Sequence, residues 1–353
     1  MNSITPNLSG PDLKSMTRQE LEAYIREMGM PAYRASQIYK WMHADLARSY
    51  SEMTNLPRAL REELLEKAPL FTVKKVDEQV SRVDGTRKYL FAMQDGALVE
   101  SVFMRYRYGC SVCVSSQVGC RMGCQFCAST IGGLVRNLLP SEILEQVYEI
   151  SRLTGERISH VVVMGTGEPM DNYDNVVRFV RLLTDEAGLH ISQRNITIST
   201  CGIVPGIERL AEEKLQITLA LSLHAVSDKK RMQIMPVAKT WSIEELMKAC
   251  GHYFEKTGRR VTFEYSLIGG VNDTREDAEA LAALAGRVHA HINLIPVNPV
   301  KERSFRRPDR RDVLSFKNKL EKSGANVSIR RALGRDIDGA CGQLRRRTMQ
   351  GQQ

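Results

Sequence analysis

The chain has 353 residues, of which 42% are hydrophobic and 26% charged, and its formal net charge is +9. This length and apolar content predict one large α/β core with a smaller accessory module. No stretch approaches the roughly twenty consecutive apolar residues that cross a bilayer, and the N-terminus is polar, which excludes an integral membrane protein. We expect a cytoplasmic protein without membrane contact.

The first 95 residues predict a small helical module. Capping-box spacing in Thr17-Arg-Gln-Glu20 opens the first helix, the second helix follows Pro31, and the third spans 57–68. The second helix should present Lys40 and His43 to solvent. Basic and aromatic residues on these helices favour a module that grips nucleic acid, although core packing explains the aromatic residues equally well.

Strand patterns follow the helices. Segments 72–76, 88–92 and 98–104 alternate in strand fashion and are separated by Asp-Gly turns, so hairpins should lead into the main domain. We place a helical accessory domain with a linking β-hairpin, predicted to bind nucleic acid, at 1–95 and the core at 96–353. Glu100 interrupts the last apolar strand, and a solvent-facing strand residue is the simplest explanation.

A loop with three cysteines is the most informative motif. Residues 119–128 read GCRMGCQFCA and place cysteines at 120, 124 and 127. Three thiolates in one short loop fit a four-iron four-sulfur cluster with one iron left open for a non-protein ligand. Cys110 and Cys113 form a further C-x-x-C pair upstream, so a structural zinc site is the alternative.

The remaining core alternates strands and helices. This pattern implies a parallel sheet with right-handed crossovers, and six units are too few to close an eight-fold barrel. The fold class predicted is therefore α/β, a partial (β/α)6 TIM-like barrel preceded by the small helical domain. The strands are predicted at 111–115, 160–164, 195–200, 217–223, 261–267 and 291–295, with helices at 141–153, 172–183, 204–213, near 229, 242–256, 274–289 and 309–323.

Polar or glycine-rich residues follow most of these strands. Because the carboxyl ends of parallel strands meet at one edge, they should line one site beside the cysteine loop. The GTGEP sequence at 165–169 lacks the third glycine of a dinucleotide fingerprint, which argues against NAD. By itself this motif is more often an ordinary turn, and His224 at a strand end is more often a core histidine.

Two individual cysteines, Cys113 and Cys341, and a basic segment complete the candidate functional residues. Cys113 lies seven residues before the cysteine loop. Cys341 lies between glycines near several arginines, which suits a nucleophile as well as a buried thiol. Residues 300–347 contain fifteen Lys or Arg and six Asp or Glu, a surplus of nine charges that equals that of the whole chain. Such a concentration is typical of a surface that binds nucleic acid, and a solvated basic face is the alternative on charge alone.

Together these motifs resemble the radical S-adenosylmethionine (SAM) enzymes, and more closely the RlmN/Cfr family of RNA methyltransferases. The resemblance covers nearly the whole chain. One departure is Gly339, where the family often has alanine, beside Cys341. The motifs that carry the resemblance are CVSSQVGC at 113–120, the cysteine loop, RNL at 136–138, MGTGEP at 164–169, SLHA at 222–225, NLIP at 293–296 and DIDGACGQL at 336–344.

The resemblance implies specific roles for these residues. Cys120, Cys124 and Cys127 would hold one four-iron four-sulfur cluster. Cys341 would be methylated, Cys113 would resolve a covalent RNA adduct, and Glu100 would accept a proton. The residues implied to contact SAM are Gly167, Glu168, Ser199, Ser222, Leu223, His224 and Asn298.

The resemblance also implies the reaction and its partners. The activity would be methylation of adenosine C2 in 23S rRNA at the peptidyl transferase centre and in tRNA beside the anticodon, using two SAM per turnover. A flavodoxin- or ferredoxin-type protein would supply electrons, a transient Cys113–Cys341 disulfide would form, and we expect a monomer. A Cfr-like enzyme acting on C8 is the nearest alternative, and an RNA-binding protein with structural zinc is the alternative of another class.

Overall fold

A computed structural model describes residues 10–298, 300, 303–331, 333–337 and 344. Cys341 and Arg345 to Arg347 lie outside the described residues. The helices are α1 (Arg18–Glu27), α2 (Tyr33–His43), α3 (Arg58–Lys67), α4 (Pro140–Thr154), α5 (Tyr173–Thr184), α6 (Val204–Glu212), α7 (Asp228–Ile234), α8 (Ile243–Thr257), α9 (Arg275–Arg287) and α10 (Arg310–Lys322).

The strands form one large sheet and one small one. Those of the large sheet are β1 (Lys74–Val80), β2 (Arg87–Ala92), β3 (Leu98–Tyr106), β4 (Gly109–Val114), β7 (Ile158–Val163), β8 (Ile196–Thr200), β9 (Thr218–Ser222), β10 (Thr262–Leu267), β11 (His291–Pro296) and β12 (Val327–Ile329). Two further strands, β5 (Gln117–Gly119) and β6 (Leu134–Asn137), pair with each other.

The large sheet has ten strands in the order β1-β2-β3-β4-β7-β8-β9-β10-β11-β12. Strands β1 to β4 pair antiparallel, and the strands from β4 to β12 pair parallel. Each parallel strand pairs with the one that precedes it in the large sheet, as in a TIM barrel. Here the first and last of the described parallel strands do not pair with each other, so the barrel is open. The predicted partial barrel is confirmed.

Most predicted elements are present with small shifts in their ends. All six core strands and seven core helices form as predicted, because apolar periodicity specifies them. The first strand begins at Lys74 rather than at 72, and β5, β6 and β12 were not predicted. These three strands have only three or four residues each, too few to show periodicity.

The N-terminal helices share one continuous hydrophobic core with the sheet. Thr17 and Glu20 form the predicted capping box, in which the Glu20 carboxylate accepts the Thr17 N–H at 2.7 Å. Between the helices and α4, the buried Lys14 Nζ donates to Glu145 Oε1 at 2.5 Å. The domain boundary at residue 95 stays a prediction.

The expected solvent position of His43 is wrong. Its ring is fully buried, and Nδ1 lies 2.8 Å from the Tyr148 hydroxyl on α4. Burial lowers the pKa of His43 to about 3, so the ring is neutral at pH 7. The helical periodicity of α2 did not determine whether His43 belongs to its buried face. Packing of α2 against α4 buries this residue. Among the described helices, none combines the length and apolarity that a bilayer crossing demands.

The small sheet closes the base of the cysteine loop. Strands β5 and β6 bracket residues 120–133, and the Cys120 N–H donates to the Gly133 carbonyl at 3.0 Å. Gly119 adopts φ +78°, and a Cβ there would lie 2.0 Å from the Gly133 oxygen. Only glycine fits this crossing, so the motif glycine before Cys120 has a steric cause.

Candidate functional site

A cavity of about 360 Å³ opens at the carboxyl edge of the parallel strands. Its size falls within the range of roughly 300 to 1,000 Å³ that small-molecule sites occupy. Glu100 and Leu223 are not among the residues that line it, and Cys341 lies outside the described residues. The predicted site residues that do line the cavity are Cys113, Cys120, Cys124, Cys127, Gly167, Glu168, Ser199, Ser222, His224 and Asn298.

The three loop cysteines face this cavity together. Cys120 and Cys124 are buried, and Cys127 is partly exposed. Burial raises the pKa of Cys120 to about 12 and raises the pKa of Cys124 as well, and the neighbouring thiols add to both shifts. Because burial and the neighbouring thiols both disfavour the thiolate forms, deprotonated cysteines here need a positively charged group beside them.

An iron–sulfur cluster fits this donor set. Within the described ranges, no three His, Cys, Asp or Glu side chains approach closely enough to hold a single metal ion. The three thiols nevertheless line one cavity, as they would if each bound a different iron. Cys120, Cys124 and Cys127 would therefore hold a multinuclear cluster.

The geometry of β4 argues against the zinc alternative. Cys110 and Cys113 lie three residues apart on one strand, so their side chains point to opposite faces of the sheet. Cys113 lines the cavity, whereas the Cys110 thiol contacts Glu156 at 3.8 Å. The two cannot act as one zinc knuckle.

The GTGEP turn packs closely against Ser116 and Gln117. Gly167 adopts φ +116°, and a Cβ there would lie 2.7 Å from both Ser116 Oγ and Gln117 Cβ. The next residue, Glu168, is buried, and its Oε2 accepts the Cys201 N–H at 2.8 Å. Burial raises the pKa of Glu168 above its usual value, although these N–H bonds oppose the shift. The close approach therefore requires glycine at position 167, and Glu168 stands in the cavity wall as a fixed carboxyl group.

The ends of β8 and β9 supply the next group of residues. Ser199 Oγ and Ser222 Oγ lie 3.2 Å apart across these neighbouring strands, so their hydroxyls can act on one ligand group. Leu223 is fully buried, and its N–H donates to the Glu264 carbonyl at 3.1 Å. Leu223 thus positions the strand end.

His224 lines the cavity, and its backbone adopts the left-handed conformation with φ +56°. Its Nδ1 accepts the Ser266 N–H at 2.9 Å, which places the proton of the neutral ring on Nε2. Burial, with a smaller effect of Arg231, lowers the pKa of His224 to about 3. The ring also meets Phe126 edge-on at 4.8 Å, which ties the cysteine loop to the end of β9.

Glu100 is buried, so the expectation that it faces solvent is wrong. Ser101 points toward α4, where its Oγ donates to Gln146 at 2.8 Å. Glu100 must therefore point to the opposite face of β3, the face from which Val102 lines the cavity. There Glu100 pairs with Lys88 Nζ at 3.0 Å.

Aromatic and basic residues form the outer rim of the cavity. Tyr106 lines the cavity, and Tyr108 stacks on it with ring centroids 4.9 Å apart and 66% of Tyr108 exposed. Arg307, Arg330 and Arg331 from the basic C-terminal segment line the same opening and are exposed. The surplus charge predicted from the sequence is therefore partly gathered at this rim, which we call the Tyr-Arg rim.

Three buried charged residues near the site were missed by the sequence interpretation. Glu264 lines the cavity from inside β10, accepts from Asn293 Nδ2 at 2.9 Å, and has a pKa raised by burial. Lys88 and Arg231 are fully buried as well. A charged residue within or beside an apolar segment was the available signal for Glu264 and Lys88, although only Glu100 was singled out by it. Arg231 stands in the polar sequence DKKRMQI, which gave no such signal.

Family models match two parts of the chain. The model of the radical SAM superfamily matches residues 114–330, and that of the ribosomal RNA large subunit methyltransferase N-terminal domain matches residues 11–70. A solved radical SAM methyltransferase from Sphaerobacter thermophilus has a TM-score of 0.90 and 44% identity, covering 94% of this chain and 98% of that chain. The whole architecture, including the helical module, is shared with that protein.

Relatives match over nearly their full length. A probable dual-specificity RNA methyltransferase RlmN from Lachnospira eligens is 58% identical over 96% of this chain and 97% of its own. Its counterpart from Lachnoclostridium phytofermentans is 54% identical over 98% of this chain and 96% of its own. The similarity extends through the cavity and the N-terminal helices.

Proposed function

Because the chain belongs to the radical SAM superfamily and, within it, to the RlmN family of RNA methyltransferases, we propose that it methylates C2 of adenosine. The substrates are 23S rRNA at the peptidyl transferase centre and tRNA at the adenosine 3' of the anticodon. The observation that carries the proposal is the position of Cys113, which lies in the wall of the same cavity as Cys120, Cys124 and Cys127.

The chain's residues divide into a cofactor side and a substrate side. When bound, the cluster and SAM supply a 5'-deoxyadenosyl radical, which an aromatic carbon such as C2 requires because it does not attack a sulfonium methyl group. Cys120, Cys124 and Cys127 hold the cluster. The SAM residues are Gly167, Glu168, Ser199, Ser222, Leu223, His224 and Asn298. Of these, Leu223 is fully buried and is not among the residues that line the cavity.

Two cysteines and one carboxylate handle the RNA. Cys341 accepts a methyl group from SAM by nucleophilic displacement. After this methyl group gives up one hydrogen atom to the 5'-deoxyadenosyl radical, its carbon bonds to C2, and the adduct then loses one electron. Glu100 accepts the proton that C2 loses. Cys113 then attacks the Cys341 sulfur and releases the methylated RNA, leaving a disulfide for reduction. None of the seven described cysteines forms a disulfide, and Cys341 is outside that set.

The Tyr-Arg rim and the helical module bind the RNA. Arginines hold phosphates, and exposed aromatic rings stack on unpaired bases, which is how proteins grip single-stranded RNA. Reaching C2 also requires the adenosine to be unstacked. The reaction consumes two SAM molecules and takes electrons from a flavodoxin- or ferredoxin-type protein, and the enzyme acts as a monomer in the cytoplasm.

The test is anaerobic reconstitution with iron and sulfide, followed by reaction with unmodified 23S rRNA and tRNA. Nucleosides from the digested RNA are compared with 2-methyladenosine and 8-methyladenosine standards by liquid chromatography and mass spectrometry. We expect 2-methyladenosine from both RNAs. Exclusive 8-methyladenosine would assign the chain a Cfr-like activity, and a colourless zinc protein that leaves SAM intact would refute the enzyme.

A further inference from the structure

Arg231 is a buried arginine with an incomplete set of partners. Its side chain has no exposed surface. Nη2 donates to the Cys201 carbonyl at 2.5 Å, and Nε donates to the Leu223 carbonyl at 3.2 Å. Among the described residues, Nη1 has no hydrogen-bond partner. The guanidinium thus joins the ends of β8 and β9 while one of its nitrogens stays unused.

The positive charge of Arg231 is also uncompensated. Across the described part of the chain, no carboxylate lies within 4.0 Å of it, the limit for an ion pair. Asp228 acts on it only at longer range, and the Asp228 Oδ1 accepts the Ile243 N–H at 2.8 Å. Buried charges in proteins are ordinarily paired or bound to ions, so a fixed unpaired cation here needs another source of negative charge.

That source is indicated by what surrounds α7. The Gln125 N–H of the cysteine loop donates to the Ile234 carbonyl at 2.8 Å, and Gly123 packs on Pro236, just beyond the helix. Cys124 and Cys201 pack in one buried cluster with Ile234 in the last turn of α7 and with Met235 just beyond it. The C-terminal end of the helix that carries Arg231 therefore packs against the cysteine loop.

We propose that Arg231 is the fixed counter-charge of the iron–sulfur cluster and raises its reduction potential. Three thiolates make the bound cluster anionic, and reduction adds a further negative charge. A cation held in a low-dielectric surrounding favours the more negative state. Because the same guanidinium fixes the Cys201 and Leu223 carbonyls, the cation cannot move away from the cluster. This inference rests on the proposed function only in needing the cluster.

Two variants separate charge from packing. Arg231→Met removes the charge, and Arg231→Lys keeps it while losing the fork of hydrogen bonds. Both are reconstituted with iron and sulfide without RNA, and the potential is measured by a redox titration followed by electron paramagnetic resonance. We expect Arg231→Met to disfavour reduction at least tenfold, about 59 mV for a one-electron couple. Arg231→Lys should stay near the wild-type potential.

Each outcome decides the proposal. Equal potentials in the wild type and Arg231→Met would overturn it, as would a Lys variant shifted as far as the Met variant, since packing would then be the cause. If Arg231→Met does not fold, Arg231→Gln replaces it as a variant that removes the charge but keeps a hydrogen-bonding side chain, and an unchanged potential in Arg231→Gln would overturn the proposal. A wild-type protein that assembles no cluster would instead refute the proposed function.

Discussion

Lys88 Nζ lies 3.0 Å from Glu100 Oε2, and both side chains are almost completely buried. They come from adjacent antiparallel strands, where Lys88 stands opposite Val102, one side-chain position along the same face from Glu100. The pair therefore lies beside the cavity that Val102 lines. Because the pair is buried, replacing Lys88 should change the stability of the fold. Because the pair lies next to the site, replacing Glu100 tests the catalytic role that we propose for it.

Removing Lys88 should destabilise the fold strongly. Lys88→Met leaves the buried Glu100 carboxylate without this ion pair, and breaking one side of such a pair costs about 3 to 5 kcal/mol. The double variant Lys88→Met, Glu100→Leu should recover much of that loss, because it removes both charges of the pair. Urea unfolding of the three proteins measures the difference, and a double variant no more stable than the single one would contradict the explanation.

Glu100→Gln should separate radical formation from product formation. If Glu100 accepts the C2 proton, its amide retains the shape but cannot take the proton, and general-base losses are about 10²- to 10⁴-fold. We expect RNA methylation to fall by at least about a hundredfold while SAM cleavage continues. Glu156→Gln is the matched control, since Glu156 contacts Cys110 on the face of β4 opposite Cys113. Equal losses in both variants would argue for a structural effect.

Replacing Cys113 and replacing Cys110 should affect the release of RNA very differently, although both cysteines lie on β4. Cys113→Ala is expected to leave RNA covalently attached through Cys341, because the residue that releases it is missing. Cys110→Ala should turn over normally, since its thiol faces away from the cavity. Cys341→Ala should give neither adduct nor product. Denaturing gels of reactions with labelled RNA resolve the adduct, and methylation by the Cys341 variant would refute the mechanism.

The Tyr108 ring should contribute to RNA binding. Base stacking on an aromatic side chain is worth about 1 to 3 kcal/mol, so Tyr108→Ala should weaken RNA binding roughly tenfold or more. Tyr108→Phe keeps the ring and should bind as the wild type does. Fluorescence of RNA oligonucleotides carrying 2-aminopurine reports the stacking directly. Unchanged binding and quenching in Tyr108→Ala would remove Tyr108 from the RNA surface.

His43 should make stability depend on acid pH. Its pKa is lowered by burial from 6.5 to about 3, so below pH 6.5 the unfolded chain binds a proton that the folded chain does not. Stability is fully present above pH 6.5 and is lost as the pH falls toward 3, by up to about 1.4 kcal/mol per pH unit. His43→Gln should flatten this slope in chemical unfolding between pH 6.5 and 4. Parallel slopes would show that His43 is not protonated on unfolding.

The sequence by itself determined the order and type of the core elements and the cysteine loop. Periodicity and residue spacing are local properties, and they sufficed for the six core strands and the seven core helices. The glycines of the sequence motifs, such as Gly119, could also be identified from the sequence. Their steric cause, such as the approach of Gly119 to Gly133, depended on a strand pair formed across the loop.

Only the tertiary structure decided which side chains face one another. Strand register places Lys88 beside Glu100. Arg231 on α7 reaches the carbonyls of Cys201 and Leu223, which follow β8 and β9. His43 is buried because α2 packs against α4. Cys113 rather than Cys110 enters the cavity because of the direction in which β4 presents alternate residues. Such pairings join residues far apart in the chain, and no local pattern specifies them, because burial and partner are properties of the folded whole.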